Sequence, residues 1–190
     1  ALDWFPKWLQ QLDMESNGKS VGKDGKPAKH SSPVVFGSAG SNAQHSYFQL
    51  FHQGSEVIPI DFIAVRKPMS NRPEATAHHR ILLSNCLAQA QALAHGKHAN
   101  NPNDVYPGKR PSNLLLLPEL NAYYLGALLA LYENRAATLG ALWNINSFDQ
   151  PGVELGKVLA KPIEEALNDP SNSSESFDSI TAARVQFFQK

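Results

Sequence analysis

Apolar residues recur at helical spacing near the start of the chain and again in several later stretches. Over residues 2–15, the residues Leu2, Phe5, Leu9 and Leu12 form one apolar stripe, which predicts an amphipathic helix. We predict further helices over residues 42–52, 78–95 and 122–138, in a segment beginning near residue 151, and in a last segment ending at residue 188.

Short apolar runs bounded by turn residues alternate with these helices and predict four strands. They cover residues 33–36, 57–65, 114–117 and 139–145. Pro59 lies inside the second run and favours an edge or a bulge there. Alternation of helices with almost continuously apolar strands predicts an α/β fold, in which helical layers cover a mainly parallel sheet.

Polar segments separate these elements and suggest how the chain is organised. Residues 16–32 are turn-rich and basic, and residues 96–113 form a Gly/Pro/Asn-rich loop. We interpret residues 1–168 as one folded unit and residues 169–190 as a linker followed by a C-terminal helix. The linker would allow that helix to dock on another chain.

Composition places the chain among soluble globular proteins. It has 190 residues, of which 42% are hydrophobic and 18% are charged, enough for one domain with a substantial core. The 17 basic and 17 acidic residues cancel, so no overall field attracts nucleic acid or an anionic membrane. No apolar run approaches the ~20 residues of a membrane span. We therefore expect neither a nucleic-acid partner nor a membrane partner.

The single cysteine and the first residues bear on the compartment. Cys86 cannot form an internal disulfide, and its apolar surroundings predict a small core residue. The sequence starts at Ala1 rather than at an initiator methionine, and no signal-peptide pattern follows. We expect a cytoplasmic protein, and a chain that begins within a longer one.

The first stretch that could carry chemistry is residues 10–19. If the opening helix continued to Glu15, then Trp4, Trp8, Gln11 and Glu15 would share one face. Indole rings beside the carboxylate would raise its pKa toward the range used for proton transfer. Spacing alone favours the simpler interpretation, a solvated helix end.

The second stretch is residues 37–45. Ser41 and Gln44 fit a capping box, which predicts a helix start at Ser41 and places His45 in the first turn. The positive end of the helix dipole would keep His45 neutral and able to exchange protons. The Gly/Ser loop before it could also hold an anion. A lone helical histidine is more often structural.

The third stretch is residues 148–157. A narrow helical sector contains polar side chains, namely Gln150, Glu154, Lys157 and Lys161. The apolar residues that point the other way, toward a predicted core, are Leu155, Leu159, Ile163 and Leu167. The alternative is an exposed face in which the Glu154–Lys157 pair contributes only ~0.2–0.5 kcal/mol.

Other familiar patterns are absent from the sequence. Gly18-Lys19-Ser20 resembles the end of a phosphate-binding P-loop, but Asp13 stands where the required first glycine would be. The lysines of the basic loop have no interleaved aromatic residues, so we interpret them as solvated; they are Lys19, Lys23, Lys26 and Lys29. Because no Cys/His pattern has metal-ligand spacing, we predict no bound metal.

Three segments, in this order, resemble the glucose-6-phosphate isomerase (phosphoglucose isomerase) family. They are residues 11–19 (QLDMESNGK), residues 44–54 (QHSYFQLFHQG) and residues 144–157 (NINSFDQPGVELGK). The last is long enough to be a specific signature. The resemblance extends from about residue 2 to residue 190 and covers the C-terminal portion of the family's length.

The resemblance implies an aldose–ketose isomerase that uses no cofactor and interconverts glucose 6-phosphate and fructose 6-phosphate. Glu15 matches the family's proton-transfer base, and His45 matches the histidine that opens the sugar ring. Lys157 matches the lysine that assists near the ring oxygen, while Gln11 and Gln150 match glutamines that contact the substrate.

The same resemblance implies a three-layer α/β/α sandwich of the sugar-isomerase type with a C-terminal helical tail. It also implies a homodimer in which His45 completes the active site of the neighbouring subunit. Three positions depart from the family pattern without replacing a reactive group; they are Leu12, Ala43 and Pro151.

The family's phosphate-binding Ser/Thr loop and an enediolate-stabilising arginine lie outside this sequence. For this reason we prefer the family's phosphate site to an anion site at residues 37–41. The chain alone is expected to be incomplete for catalysis. The alternatives are a non-catalytic module that binds sugar phosphates and a dimerising remnant.

Overall fold

The computed structural model describes residues 2–169 and 177–189 of the chain. The elements follow one another as α1 (Phe5–Gln10), a π-helical turn (Gln11–Glu15), α2 (Gly40–Gln44), α3 (Phe48–Gln53), β1 (Ile60–Val65), α4 (Pro73–His95), a 3₁₀ turn (Pro102–Asp104), β2 (Ser112–Leu117), α5 (Ala122–Leu142), a second 3₁₀ turn (Pro151–Val153), α6 (Glu154–Asn168) and α7 (Ser179–Phe188).

A parallel sheet forms the centre of the described chain. Strand β1 pairs with β2 in a register that runs from Ile60 opposite Ser112 to Val65 opposite Leu117. Helix α4 connects the strands and contacts both, which is the crossover that parallel strands require. The α/β fold with a parallel sheet is therefore confirmed.

Alternate residues of β1 face two different hydrophobic clusters. Ile63 packs with a cluster built from α1 and α5, which contains Phe5, Leu9, Leu128 and Tyr132. Phe62 packs with a cluster built from α2, α3 and α4, which contains Ala43, Phe48, Phe51 and Leu93. Because successive strand residues point to opposite faces, the sheet is the middle layer between two helical layers.

Two of the four predicted strands are wrong. Residues 33–36 form no regular element, and Val35 instead packs beside the first cluster. Residues 139–142 continue α5, which is capped at Trp143. Residues 33–36 contain β-formers but have no paired strand in the described chain, and a strand is stabilised chiefly by cross-strand neighbours. Residues 139–142 include glycine and alanine, which are depleted in strands.

Several helix boundaries also differ from the sequence prediction. The helix predicted over residues 42–52 is two short helices, α2 and α3, separated by turns at residues 45–47. Helix α4 begins at Pro73, five residues before the predicted start, since proline suits the first turn. Cys86 in α4 is half-buried rather than a core residue, and burial raises the pKa of its thiol.

The last two helices expose most of their apolar side chains. The α6 stripe predicted to face the core is wrong, because Leu155 is 66% exposed and Leu159 is 53% exposed. Helix α7 confirms the predicted last helix, with Asp178 as its N-cap. It packs on α6, and the Gln189 amide donates to the Ala166 carbonyl at 2.6 Å. The predicted linker at residues 170–174 lies outside the described residues.

None of the helices in residues 2–169 and 177–189 is both long enough and apolar enough to cross a bilayer.

Candidate functional site

A cavity of about 450 Å³ brings together two of the three chemistry-bearing stretches. Glu15 contributes from the end of the π-helical turn, while Gln150 and Lys157 contribute from the start of α6 and the loop before it. All the residues that line the cavity are Glu15, Asp149, Gln150, Pro151, Val153, Glu154 and Lys157. The site thus combines carboxylates, an amide and an ammonium group in a mostly polar wall.

The helix that carries Glu15 changes its hydrogen-bonding pattern before it reaches the site. Residues Gln11–Glu15 form a π-helical turn, a rare i→i+5 geometry that is often found at functional sites. The prediction that Glu15 shares one helix face with Gln11 and two tryptophans requires a regular α-helix. That geometry ends at Gln10, so the predicted alignment is wrong.

The tryptophans do not supply the apolar wall predicted for Glu15. Trp4 is 72% exposed, with the Lys7 ammonium 4.4 Å from its ring centroid. Trp8 packs against Phe5 at a ring separation of 5.3 Å. Neither indole lines the cavity.

The Lys19 side chain caps the C-terminal end of the helical segment that carries Glu15. Its ammonium donates to the backbone carbonyls of Glu15 at 2.7 Å and Ser16 at 2.5 Å. Burial lowers the pKa of Lys19, an effect opposed by the carboxylates of Asp149 and Glu15. Lys19 is therefore a partly buried helix cap beside the site, and its assignment to a solvated loop was wrong.

The loop that leads into α6 has an unusual backbone. Asn144 has φ of 56° and Phe148 has φ of 65°, a left-handed conformation that asparagine tolerates more readily than phenylalanine. The Asn146 amide donates to the Asp149 carboxylate at 3.2 Å, and the Gln150 amide donates to the Phe148 carbonyl at 3.1 Å. These contacts hold Asp149 and Gln150 at the cavity.

The predicted Glu154–Lys157 pair is confirmed. The Lys157 ammonium lies 2.7 Å from the Glu154 carboxylate, and both side chains are more than 60% exposed. An exposed pair of this kind adds little to stability. Both residues are accessible to a ligand in the cavity.

Gln11 and His45 do not line this cavity. Gln11 is exposed on the π-helical turn, and His45 is exposed at the C-cap of α2. The capping box is wrong, because Ala39 is the N-cap and no side chain caps α2. His45 follows the helix rather than starting it, so the dipole argument made for a first-turn position does not apply.

An ionic network anchors the π-helical turn to the sheet and α5. The buried carboxylate of Asp13 pairs with Arg135, whose guanidinium also lies 3.9 Å from the Asp61 carboxylate. The Tyr132 hydroxyl donates to Asp61 at 2.9 Å, and its pKa is raised by burial and by that bond. Sequence reasoning missed this network because its members lie far apart along the chain.

Within the described residues, no group of three or more His, Cys, Asp or Glu side chains is arranged to hold a metal ion.

Comparison with known proteins gives consistent results. The sequence profile described as phosphoglucose isomerase matches residues 1–185. The glucose-6-phosphate isomerase of Cupriavidus metallidurans is 50% identical over 97% of this chain and 36% of its own length. That of Polaromonas naphthalenivorans is 51% identical over 98% of this chain and 35% of its own length.

Solved structures show the same similarity. The crystal structure of a glucose-6-phosphate isomerase from Chlamydia trachomatis superposes with a TM-score of 0.78 at 36% identity, covering 98% of this chain and 35% of that one. A hypothetical protein from Thermus thermophilus gives a TM-score of 0.63 at 29% identity, covering 84% of this chain and 38% of that one. The chain thus spans about a third of the length of the relatives it matches.

Proposed function

The chain belongs to the phosphoglucose isomerase family, and we propose that it is the C-terminal portion of an enzyme that interconverts glucose 6-phosphate and fructose 6-phosphate. The observation that carries this proposal is the cavity that Glu15 shares with Gln150 and Lys157. These residues come from two distant segments that match the family, and they combine a base, a hydrogen-bonding amide and a cation.

In the proposed reaction, Glu15 moves one proton between neighbouring carbons of the open-chain sugar. Its carboxylate removes the proton from C2 while the C1 carbonyl oxygen gains a proton, which gives a cis-enediol. Returning the proton to C1 while the O2 hydroxyl loses its own gives the ketose. One carboxylate serves both carbons because they present their hydrogens to the same side of the enediol.

The remaining site residues would open the sugar ring and bind the substrate's hydroxyl groups. We assign ring opening to His45, with Lys157 near the ring oxygen, and substrate contacts to Gln11 and Gln150. The 2.7 Å Lys157–Glu154 contact keeps the ammonium group at the cavity without burying it. A sugar phosphate could therefore compete for this cation.

His45 is the basis for proposing a homodimer. It is exposed and lies outside the cavity lined by Glu15 and Lys157. The family resemblance implies that the matching histidine acts in the site of a neighbouring subunit, and the position of His45 is compatible with that role. The complete protein is accordingly proposed to be a cytoplasmic homodimer of sugar-isomerase domains.

A coupled assay for fructose 6-phosphate formation by the full-length protein tests the function. The proposed proton transfer uses a carboxylate base and no metal ion as a Lewis acid, so we expect undiminished turnover after treatment with EDTA. Activity that EDTA abolishes and zinc or manganese restores would contradict the proposal. A full-length protein that binds the sugar phosphate without converting it would favour the non-catalytic alternative.

A further inference from the structure

Asn17 is a buried polar side chain near the site that makes two side-chain hydrogen bonds. It is 1% exposed, and its amide nitrogen donates to the Ala136 carbonyl of α5 at 2.8 Å. Its amide oxygen accepts a hydrogen bond of 2.5 Å from the Ser147 hydroxyl. A single side chain therefore joins the end of the Glu15 segment, the middle of α5 and the loop before α6.

The backbone of Asn17 is held as firmly as its side chain. Its carbonyl accepts hydrogen bonds from the Ser31 hydroxyl at 3.1 Å and from the Ser32 amide at 2.9 Å. Hydrogen bonds to both the side chain and the backbone of Asn17 therefore hold this residue in place.

Gly140 in α5 makes room for the contact between Asn17 and Ser147. A β-carbon at Gly140 would lie 1.8 Å from the Ser147 hydroxyl oxygen and 3.0 Å from the Asn17 amide oxygen. Any larger residue would displace the serine. Gly126, in the same helix, has no atom within 4 Å of the equivalent position.

The contact connects the two segments that form the cavity. Asn17 lies two residues after Glu15, and Ser147 lies three residues before Gln150. The cavity lining includes both Glu15 and Gln150. A shift of Ser147 relative to Asn17 would therefore change the separation between the carboxylate and the amide that face the substrate.

We propose that Asn17 and Ser147 are positioning residues, whose hydrogen bond sets the alignment of Glu15 with the Gln150 segment for proton transfer. The inference rests on the proposed function of Glu15 and adds residues that do not touch the substrate. Misplacement of reacting groups by about 1 Å can cost on the order of 10²-fold in rate.

The first test is Ser147→Ala in the full-length protein. It removes the hydroxyl donor but leaves the bond between Asn17 and Ala136 intact. We expect kcat to fall by about 10- to 100-fold with KM changed by less than about threefold. An unchanged kcat, with the folded state intact by circular dichroism, would overturn the inference.

A second variant displaces the serine without removing its hydroxyl group. Gly140→Ala should reduce kcat in the same manner as Ser147→Ala, whereas Gly126→Ala, the matched control in α5, should leave kcat unchanged. If Gly140→Ala fails to fold, Ser147→Ala still decides the matter. Full turnover by a folded Gly140→Ala protein would overturn the inference.

A double-mutant cycle separates positioning from a general structural effect. In a Glu15→Gln background the base is already absent, so adding Ser147→Ala should lower the residual rate by less than about threefold. If Ser147 had only a structural role, Ser147→Ala would lower the rate by the same factor in the wild-type and the Glu15→Gln backgrounds. That result would refute the positioning role. Full activity of Glu15→Gln alone would instead show that Glu15 is not the base, and would remove the premise on which this inference rests.

Discussion

At the scale of single residues, Glu15, Gln150 and Lys157 were singled out by family resemblance and are found lining one cavity. Spacing alone favoured an ordinary solvated surface for each of them. The cavity favours a ligand-binding role over a solvated surface, because it places a carboxylate, an amide and a cation within reach of one small polar ligand.

His45 gives a residue-scale prediction that distinguishes ring opening from isomerisation. In the full-length protein, His45→Ala should reduce turnover strongly when the substrate is a closed-ring sugar phosphate. The loss should be much smaller with an open-chain sugar phosphate, since that substrate needs no ring opening. Steady-state rates with both substrates provide the comparison.

Equal losses with the two substrates would contradict the role assigned to His45. A matched control is His98→Ala, which changes another exposed histidine that has no counterpart in the site motifs. That variant should retain turnover with both substrates.

The sequence motifs identify the candidate reactive groups but not the residues that position them. Glu15 and Lys157 belong to recognisable motifs. Asn17 lies inside one of those motifs, but its partner Ser147 is 130 positions away, and only the tertiary structure reveals the contact. The absence of interleaved aromatic residues in the basic loop predicts a solvated Lys19, whereas its ammonium group caps a helix end.

At the scale of elements, the long helices and the two paired strands were predictable. Helices α4 and α5 are each more than 20 residues long, and β1 and β2 are short runs rich in apolar residues. The failures are short segments. Residues 33–36 resemble a strand locally but have no strand partner within the described residues, and the turns at residues 45–47 interrupt a helix that the pattern left continuous.

The Tyr132–Asp61 contact between α5 and β1 predicts how stability depends on pH. Burial and the Asp61 hydrogen bond raise the pKa of Tyr132 above its ordinary value. In the unfolded chain this tyrosine ionises near a pH of about 10, while the folded protein keeps it neutral to higher pH. The contribution of Tyr132 is therefore complete below about pH 10 and decreases as the pH rises further.

Urea unfolding of the protein and of Tyr132→Phe, followed across that pH range, measures this contribution. At neutral pH, the variant should be less stable by about 0.5–1.5 kcal/mol, the usual net value of a hydrogen bond. The difference between the two proteins should shrink as the pH rises above about 10. A difference that stays constant or grows would contradict the role of this contact.

At the scale of the whole molecule, the chain exposes far more surface than a compact monomer. Its accessible area is 13524 Å², against about 8900 Å² expected for a folded monomer of this mass. Exposed apolar side chains occur on both helical layers and on β2, where Leu116 is 69% exposed. This surface supports the proposal that other parts of a longer chain, or a second subunit, cover it.

The open surface and the partial match to the relatives predict that the isolated chain is nearly inactive. Phosphate anchoring and enediolate stabilisation are attributed to residues outside this sequence, and loss of one such electrostatic donor can cost ~10²–10³ in rate. The purified chain and the full-length protein should be compared in the same coupled assay. Turnover by the chain within about tenfold of the full-length rate would contradict this expectation.

The most direct test of the central claim is solvent exchange of the substrate's C2 hydrogen in a Glu15→Gln full-length protein. This substitution preserves the size of the side chain and much of its hydrogen bonding but removes the proton acceptor. If Glu15 is the base, C2 exchange and turnover should fall together by at least ~10²–10⁴-fold, while substrate affinity changes little. A Glu15→Gln protein that kept the wild-type rate of C2 exchange would show that another group moves the proton.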